Sequence, residues 1–146
     1  MGRQIILISS LLLSFCTSSS QRNAQEISIS KIEMRLSAFG VESDDFPSIE
    51  GHIDFTNETS NFSKSFYNPG YKGSGYNLSN EEIKKVLELL QKTDLNNLKK
   101  EYSINISDQP TSTLIIYTNN GNYAIKDYGL KGDHPLPDLY KIAYKF

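Results

Sequence analysis

The sequence predicts an α+β domain, built on an antiparallel sheet of about five strands in the order β-β-β-α-β-β-α with the helices packed on one face. Three observations carry that expectation. Apolar and polar residues alternate with period two over several stretches, the pattern of strands with one wet face. Ile83, Val86, Leu87 and Leu90 recur at helical spacing behind Ser79 and Glu82, which form a capping box. Asn120-Gly121 separates two strand-like runs and supplies the positive φ angles of a tight hairpin turn.

In chain order, the first element is an address label. Arg3 is the only charge before an apolar and small-residue run at residues 5–15, which ends at Cys16, the only cysteine. A basic start, a short apolar run and then small polar residues read as a secretory signal peptide over residues 1–20. The run is too short for a membrane-spanning helix, which needs about 20 apolar residues. Leu13-Ser14-Phe15-Cys16 resembles a lipoprotein box, in which the cysteine is acylated and becomes the first mature residue. Phe15 departs from the small residue usual at that place. Cleavage after Ser20, with Ser18 and Ser20 as the small residues, is the competing route, and a retained segment is the third. The expectation is an exported protein, lipid-anchored at Cys16 in the periplasm or outer membrane, or secreted if cleavage follows Ser20. Residues 21–26 complete a small, polar tether.

Residues 27–146 make one domain by length. No cysteine remains to staple it, so its stability must come from its core. Ile27 and Ile29, then Ile32, Met34 and Leu36, alternate with a change of phase near Lys31, which predicts a bulged first strand. Residues 38–48 read as a loop carrying Glu42, Asp44 and Asp45. Ile49, Gly51, Ile53 and Phe55 alternate with Glu50, His52, Asp54 and Thr56, giving a second strand with one wet face. Residues 57–61 make a turn and 62–68 return as a third strand. Residues 69–75 (PGYKGSG) form a glycine-rich loop before the capped helix, which ends near Thr93 and is pinned by a short turn at Leu95 and Leu98. Residues 111–118 and 122–128 form the Asn-Gly hairpin. Thr113, Ile115 and Tyr117 share one face and Leu114 and Ile116 the other, so this pair is expected to be central and partly buried on both sides. Pro137 starts a final helix with Leu139, Ile142 and Phe146 inward.

The charge balance narrows the function. The chain has 15 basic and 17 acidic residues. Removing residues 1–15 takes away only Arg3, leaving 14 against 17 and no basic stripe. Nucleic acid is therefore not an expected partner. His52, Asp54, Asp133 and His134 could contribute to a metal site only by converging, and nothing in their spacing brings them together. Glu42, Asp44 and Asp45 lack the spacing of a calcium loop. No cofactor is expected. The best binding candidate is the loop with Tyr67, Tyr71, Gly73, Gly75 and Tyr76, since tyrosines offer large amphipathic contact area at low entropy cost.

A set of short motifs runs through residues 79–129. It comprises Ser79-Asn80-Glu81-Glu82, Asp94-Leu95 to Leu98, Tyr102, Asp108-Gln109-Pro110-Thr111 and Asp127-Tyr128-Gly129. In that order they resemble an exported bacterial family known as domain of unknown function 6438. The resemblance implies the fold and an envelope location, and it brings no activity. That family typically carries two closely spaced cysteines, the second before a proline, ahead of its first hairpin. Here Phe46-Pro47 stands in that place, so any redox, disulfide or metal role of such a pair is absent. Asp108, Pro110, Thr111, Asp127, Tyr128 and Gly129 are expected to be structural, Asp108 as a turn former and Asp127 as a strand end.

Together these readings predict an exported, lipid-anchored envelope binding module without catalytic activity, taking a protein partner or a cell-surface glycan. Its specific form would be an inhibitor or immunity protein. The alternative is an acid/base hydrolase of the envelope using Asp108 or Asp127, because paired carboxylates can cleave glycosides.

Overall fold

The structure, a computed structural model, describes residues 27–37 and 46–146. The expected signal peptide and tether, Cys16, and the acidic residues Glu42, Asp44 and Asp45 lie outside the described residues. The elements are β1 (Ile29–Ser37), β2 (Ser48–Asp54), β3 (Thr59–Ser65), β4 (Ser74–Tyr76), α1 (Asn80–Gln91), a 3₁₀ turn (Leu95–Asn97), β5 (Glu101–Tyr102), β6 (Thr111–Thr118), β7 (Gly121–Tyr128) and α2 (Leu136–Tyr144).

The α+β class holds, but the sheet is larger and mixed. Seven strands lie in the order β4-β3-β2-β1-β6-β7-β5. All neighbours are antiparallel except β5, which runs parallel to β7. The expectation of about five antiparallel strands misses the two edges. β4 has three residues and β5 two, too few to show a period of two. β4 also lies partly inside the glycine-rich segment read as a loop. The parallel pair arises because the chain leaves the β4 edge, passes through α1 and re-enters at the opposite edge. The bulge expected near Lys31 is present as a register shift against β6. β3 starts at Thr59, three residues before the expected Phe62.

One face of the sheet carries the core. Ile32, Met34, Leu36, Ile49, Ile53, Phe62, Leu114 and Ile116 are buried in a single cluster with α1 and α2 residues. α1 opens as the sequence predicts. Ser79 N donates to Glu82 Oε2 at 2.8 Å, and Glu82 N to Ser79 Oγ at 3.2 Å. Ile83, Val86 and Leu90 are buried on its inner face.

α2 packs on the same side with a different phase from the expected one. Leu136, Leu139, Tyr140, Ala143 and Tyr144 are buried, at i, i+3, i+4, i+7 and i+8. Ile142 is half-buried, and Phe146, expected inward, is 56 % exposed. The helix begins at Leu136, one residue before Pro137. The tyrosines turn inward because their hydroxyls find partners there: Tyr144 with Ser112 Oγ at 2.7 Å, and Tyr140 donating to Asp127 Oδ2 at 2.9 Å.

With both helices on that face, no helix among the described residues covers the other. Thr113 is exposed, and Ile115 and Tyr117 are half-buried. The β6–β7 pair lies inside the sheet and is partly buried on both sides, fully on the helix side at Leu114 and Ile116 and by half on the other. Ile115 and Tyr117 belong to a wet face, where scattered apolar residues are ordinary.

Candidate functional site

The site begins with strand geometry. Successive side chains point to opposite faces, so the inward Ile32, Met34 and Leu36 leave Lys31, Glu33 and Arg35 on the open face. Register then aligns residues from neighbouring strands. One row across the open face is Ser63, Glu50, Arg35 and Thr113, and the next is Asn61, His52, Glu33 and Ile115. A third row contains Asp54, Lys31 and Tyr117. The first two rows line a groove of about 450 Å³ in the middle of the sheet. Its floor is the hydrogen-bonded backbone of central strands.

The charges in this groove fall into two groups. Glu33 is held: it accepts from Lys31 Nζ at 2.7 Å and from Tyr117 Oη at 3.0 Å. The Lys31 ammonium first, and the Tyr117 hydroxyl second, keep its carboxyl below the ordinary glutamate value. Arg35 and Glu50 are directly opposed in the register, and both are exposed. Among the described residues, neither side chain makes a hydrogen bond or ion pair. The groove therefore offers a guanidinium, a carboxylate, an imidazole, an amide and hydroxyls on a firm floor. Such a set can grip a ligand with both donors and acceptors.

The tyrosine and glycine loop divides into two parts. Tyr67 is 96 % exposed, and Tyr71 is 45 % exposed with its ring 5.4 Å from that of Phe66. Tyr76 is half-buried and stacked on Phe62 at 5.4 Å, and its hydroxyl donates to Ala143 O at 2.6 Å. Burial pushes that hydroxyl up to about 12. Tyr76 is thus a strut between β4 and α2. Gly73 passes so close to β3 that a Cβ would lie 2.8 Å from Lys64 O, and Gly75 lies within β4.

The structure gathers the remaining motif residues at one end of the sheet. Thr111 pairs with Tyr128, and Gly129 N donates to Pro110 O at 2.9 Å. Tyr128 Oη donates to Ile106 O at 2.9 Å and accepts from Gln109 N at 3.3 Å. Gly129 has φ +90°, and a Cβ there would strike the Ile104 side chain. Asp127 is fully buried and accepts three hydrogen bonds, from Lys131 N (3.0 Å), Gly132 N (2.8 Å) and Tyr140 Oη (2.9 Å). Asp108 is exposed at φ +57° and shares no hydrogen-bond partner with Asp127. The motif closes the hairpin and fastens the loop that leads into α2.

His52 and Asp54 sit on the open face of β2, while His134 lies 3.3 Å from Asp138 beside α2. Among the described residues no group of three or more His, Cys, Asp or Glu could hold a metal ion. Sequence reasoning passed over Glu33, Arg35, Glu50, Asn61, Ser63 and Thr113. Their signal was available as the polar half of each alternating strand. Which polar halves adjoin depends on strand order, which the sequence does not display.

Neither a curated protein nor a solved structure matches the chain. One family does, described as a domain of unknown function (DUF6438), over residues 42–145. That span covers most of the chain, which therefore belongs to this family.

Proposed function

We propose that this member of the domain of unknown function 6438 family is an exported binding module, lipid-anchored through Cys16, that holds a protein partner or a cell-surface glycan on the open face of its sheet. The observation that carries the reading is the directly opposed pair Arg35 and Glu50 over the central groove, whose exposed side chains form no ion pair or hydrogen bond among the described residues. Complementary charge on a partner would give orientation and selectivity there. The rigid strand floor limits the ordering cost of binding. Tyr67 and Tyr71 project from the β3–β4 loop as further contact area. Within this class, an inhibitor or immunity protein acting on an envelope hydrolase or toxin needs no chemistry of its own.

The test is a parallel capture from envelope extract with the full chain and its Arg35→Glu and Glu50→Arg variants, each also run on a glycan array. A stoichiometric partner or glycan held by the wild type, and weakened at least about tenfold in both variants at unchanged melting temperature, supports the reading. Equal retention by all three proteins overturns the groove as the site. Cys16→Ser is expected to move the protein from the membrane fraction to the soluble fraction. Retention in the membrane would remove the anchor from the proposal.

A further inference from the structure

A second surface lies at the far edge of the sheet and does not depend on the groove. β7 is paired along its whole length with β6, but only in part on its other side. There β5 covers Lys126 and Asp127 alone. Lys126 N donates across that edge to Lys100 O at 2.9 Å. Along an antiparallel strand, the backbone groups of alternate residues point to alternate sides. Asn122 and Ala124 therefore aim their N–H and C=O groups at the same edge as Lys126. They have no backbone partner on that edge among the described residues.

The edge is open because the neighbouring chain departs. Before β5 it runs through the 3₁₀ turn, which makes no backbone pairing with β7 and touches it through Tyr123 Oη, which donates to Asn96 Oδ1 at 3.1 Å. Between residues 95–100 and 122–125 it leaves a cleft of about 290 Å³. Leu95, Leu98, Tyr123 and Ile125 give the cleft apolar walls. Lys99 and Lys100 give it a basic side, and no carboxylate lines it. Glu101 is already paired with Lys126 at 3.2 Å, while Lys100 has no anionic partner among the described residues. The lysines flank the edge on the adjoining chain and do not blunt it from within β7.

We propose that this cleft takes an acidic peptide segment in extended conformation, added as a strand beside Asn122 and Ala124. The peptide backbone completes the ladder of β7, an apolar side chain settles against Leu98 and Tyr123, and a carboxylate meets Lys99 and Lys100.

The experiment selects a random dodecapeptide library, displayed on phage, against the full chain. The best peptide is then titrated into isotope-labelled protein. Expected are peptides in which Asp or Glu alternates with aliphatic residues, and amide shifts centred on Asn122 and Ala124. Ala124→Pro removes the outward N–H without deleting a ladder bond to β6, though it also fixes the local φ, and Lys100→Glu reverses the flanking charge. Each is expected to weaken binding at least tenfold, whereas Arg35→Glu leaves it unchanged and so separates this surface from the groove. Failure to enrich acidic peptides, or affinity indifferent to both edge variants, overturns the proposal. Should Ala124→Pro unfold the domain, the exposed Lys100→Glu decides alone. A dimer in light scattering that Lys100→Glu dissociates would replace the peptide with a second copy of this chain.

Discussion

Gly51 lies in the middle of β2, where a branched residue would be the ordinary choice. A Cβ there would come within 2.4 Å of both the Phe62 ring and Asn61 O. Phe62 is its register partner and is fully buried, so the missing side chain is the socket for the ring. Gly51→Ala is expected to cost about 1–3 kcal/mol by overpacking, seen as a lower denaturant midpoint. An unchanged midpoint would mean that the ring can move aside. Asp127 is the other residue whose neighbours decide its role. Asp127→Ala strands two backbone N–H groups and the Tyr140 hydroxyl. The expected loss is about 3 kcal/mol or more, since unsatisfied buried donors carry their full desolvation cost. Thermal unfolding separates the two readings of this residue. A catalytic Asp127 would lose an activity and keep its melting temperature. Both residues were visible in the sequence, Gly51 as one of the alternating positions of a strand and Asp127 as part of a motif. Their partners were not, because Phe62 and Tyr140 reach them only after folding.

At the scale of elements, α1 was the most legible. Its cap is local, requiring only residues three apart, and Ser79→Ala is expected to cost about 1 kcal/mol. Folding adds a partner from far away: Lys145, just past α2, bonds the same Glu82 that completes the capping box. Lys145 first, and the Ser79 backbone second, hold the Glu82 carboxyl below the 4.5 of a free glutamate. A depressed carboxylate contributes stability above its unfolded value and loses it as pH falls through the folded one. Glu82→Gln should therefore reduce stability at neutral pH and flatten the loss below about pH 4.5, measured by urea titrations across pH. Tyr76 behaves with the opposite sign. Its hydroxyl is raised from 10 to about 12, so the neutral form is favoured by the fold, and that contribution is lost as pH rises through this window. Tyr76→Phe is expected to cost about 1 kcal/mol at neutral pH for the bond to Ala143. It should also soften the alkaline limb between pH 10 and 12. α2 was legible as a helix but not in its facing. A reading by apolarity alone turns Phe146 inward, whereas Tyr140 and Tyr144 fill that side once Asp127 and Ser112 are beneath them.

For the molecule as a whole, the decisive fact is that both helices cover one face. Ile116→Ala on the covered face is expected to cost about 2–5 kcal/mol. Thr113→Ala on the open face should stay within about 0.5 kcal/mol. Comparable losses at the two positions, in denaturant unfolding, would mean that something covers the open face as well. This asymmetry puts Arg35, Glu50 and His52 on the face the helices leave uncovered, where their side chains add little to the core. The sequence by itself determined what nearest neighbours decide: the α+β class, the capping box, the Asn-Gly hairpin, the bulge near Lys31 and the order of motifs that marks the family. Those features need only residues a few positions apart, or a simple period, to be present. Only the tertiary structure decided the seven-strand mixed sheet, the two short edges, the phase of α2 and which strand halves share the groove. Each of these depends on contacts between residues far apart in the chain, and the two edge strands exist only because β3 and β7 are there to pair with them.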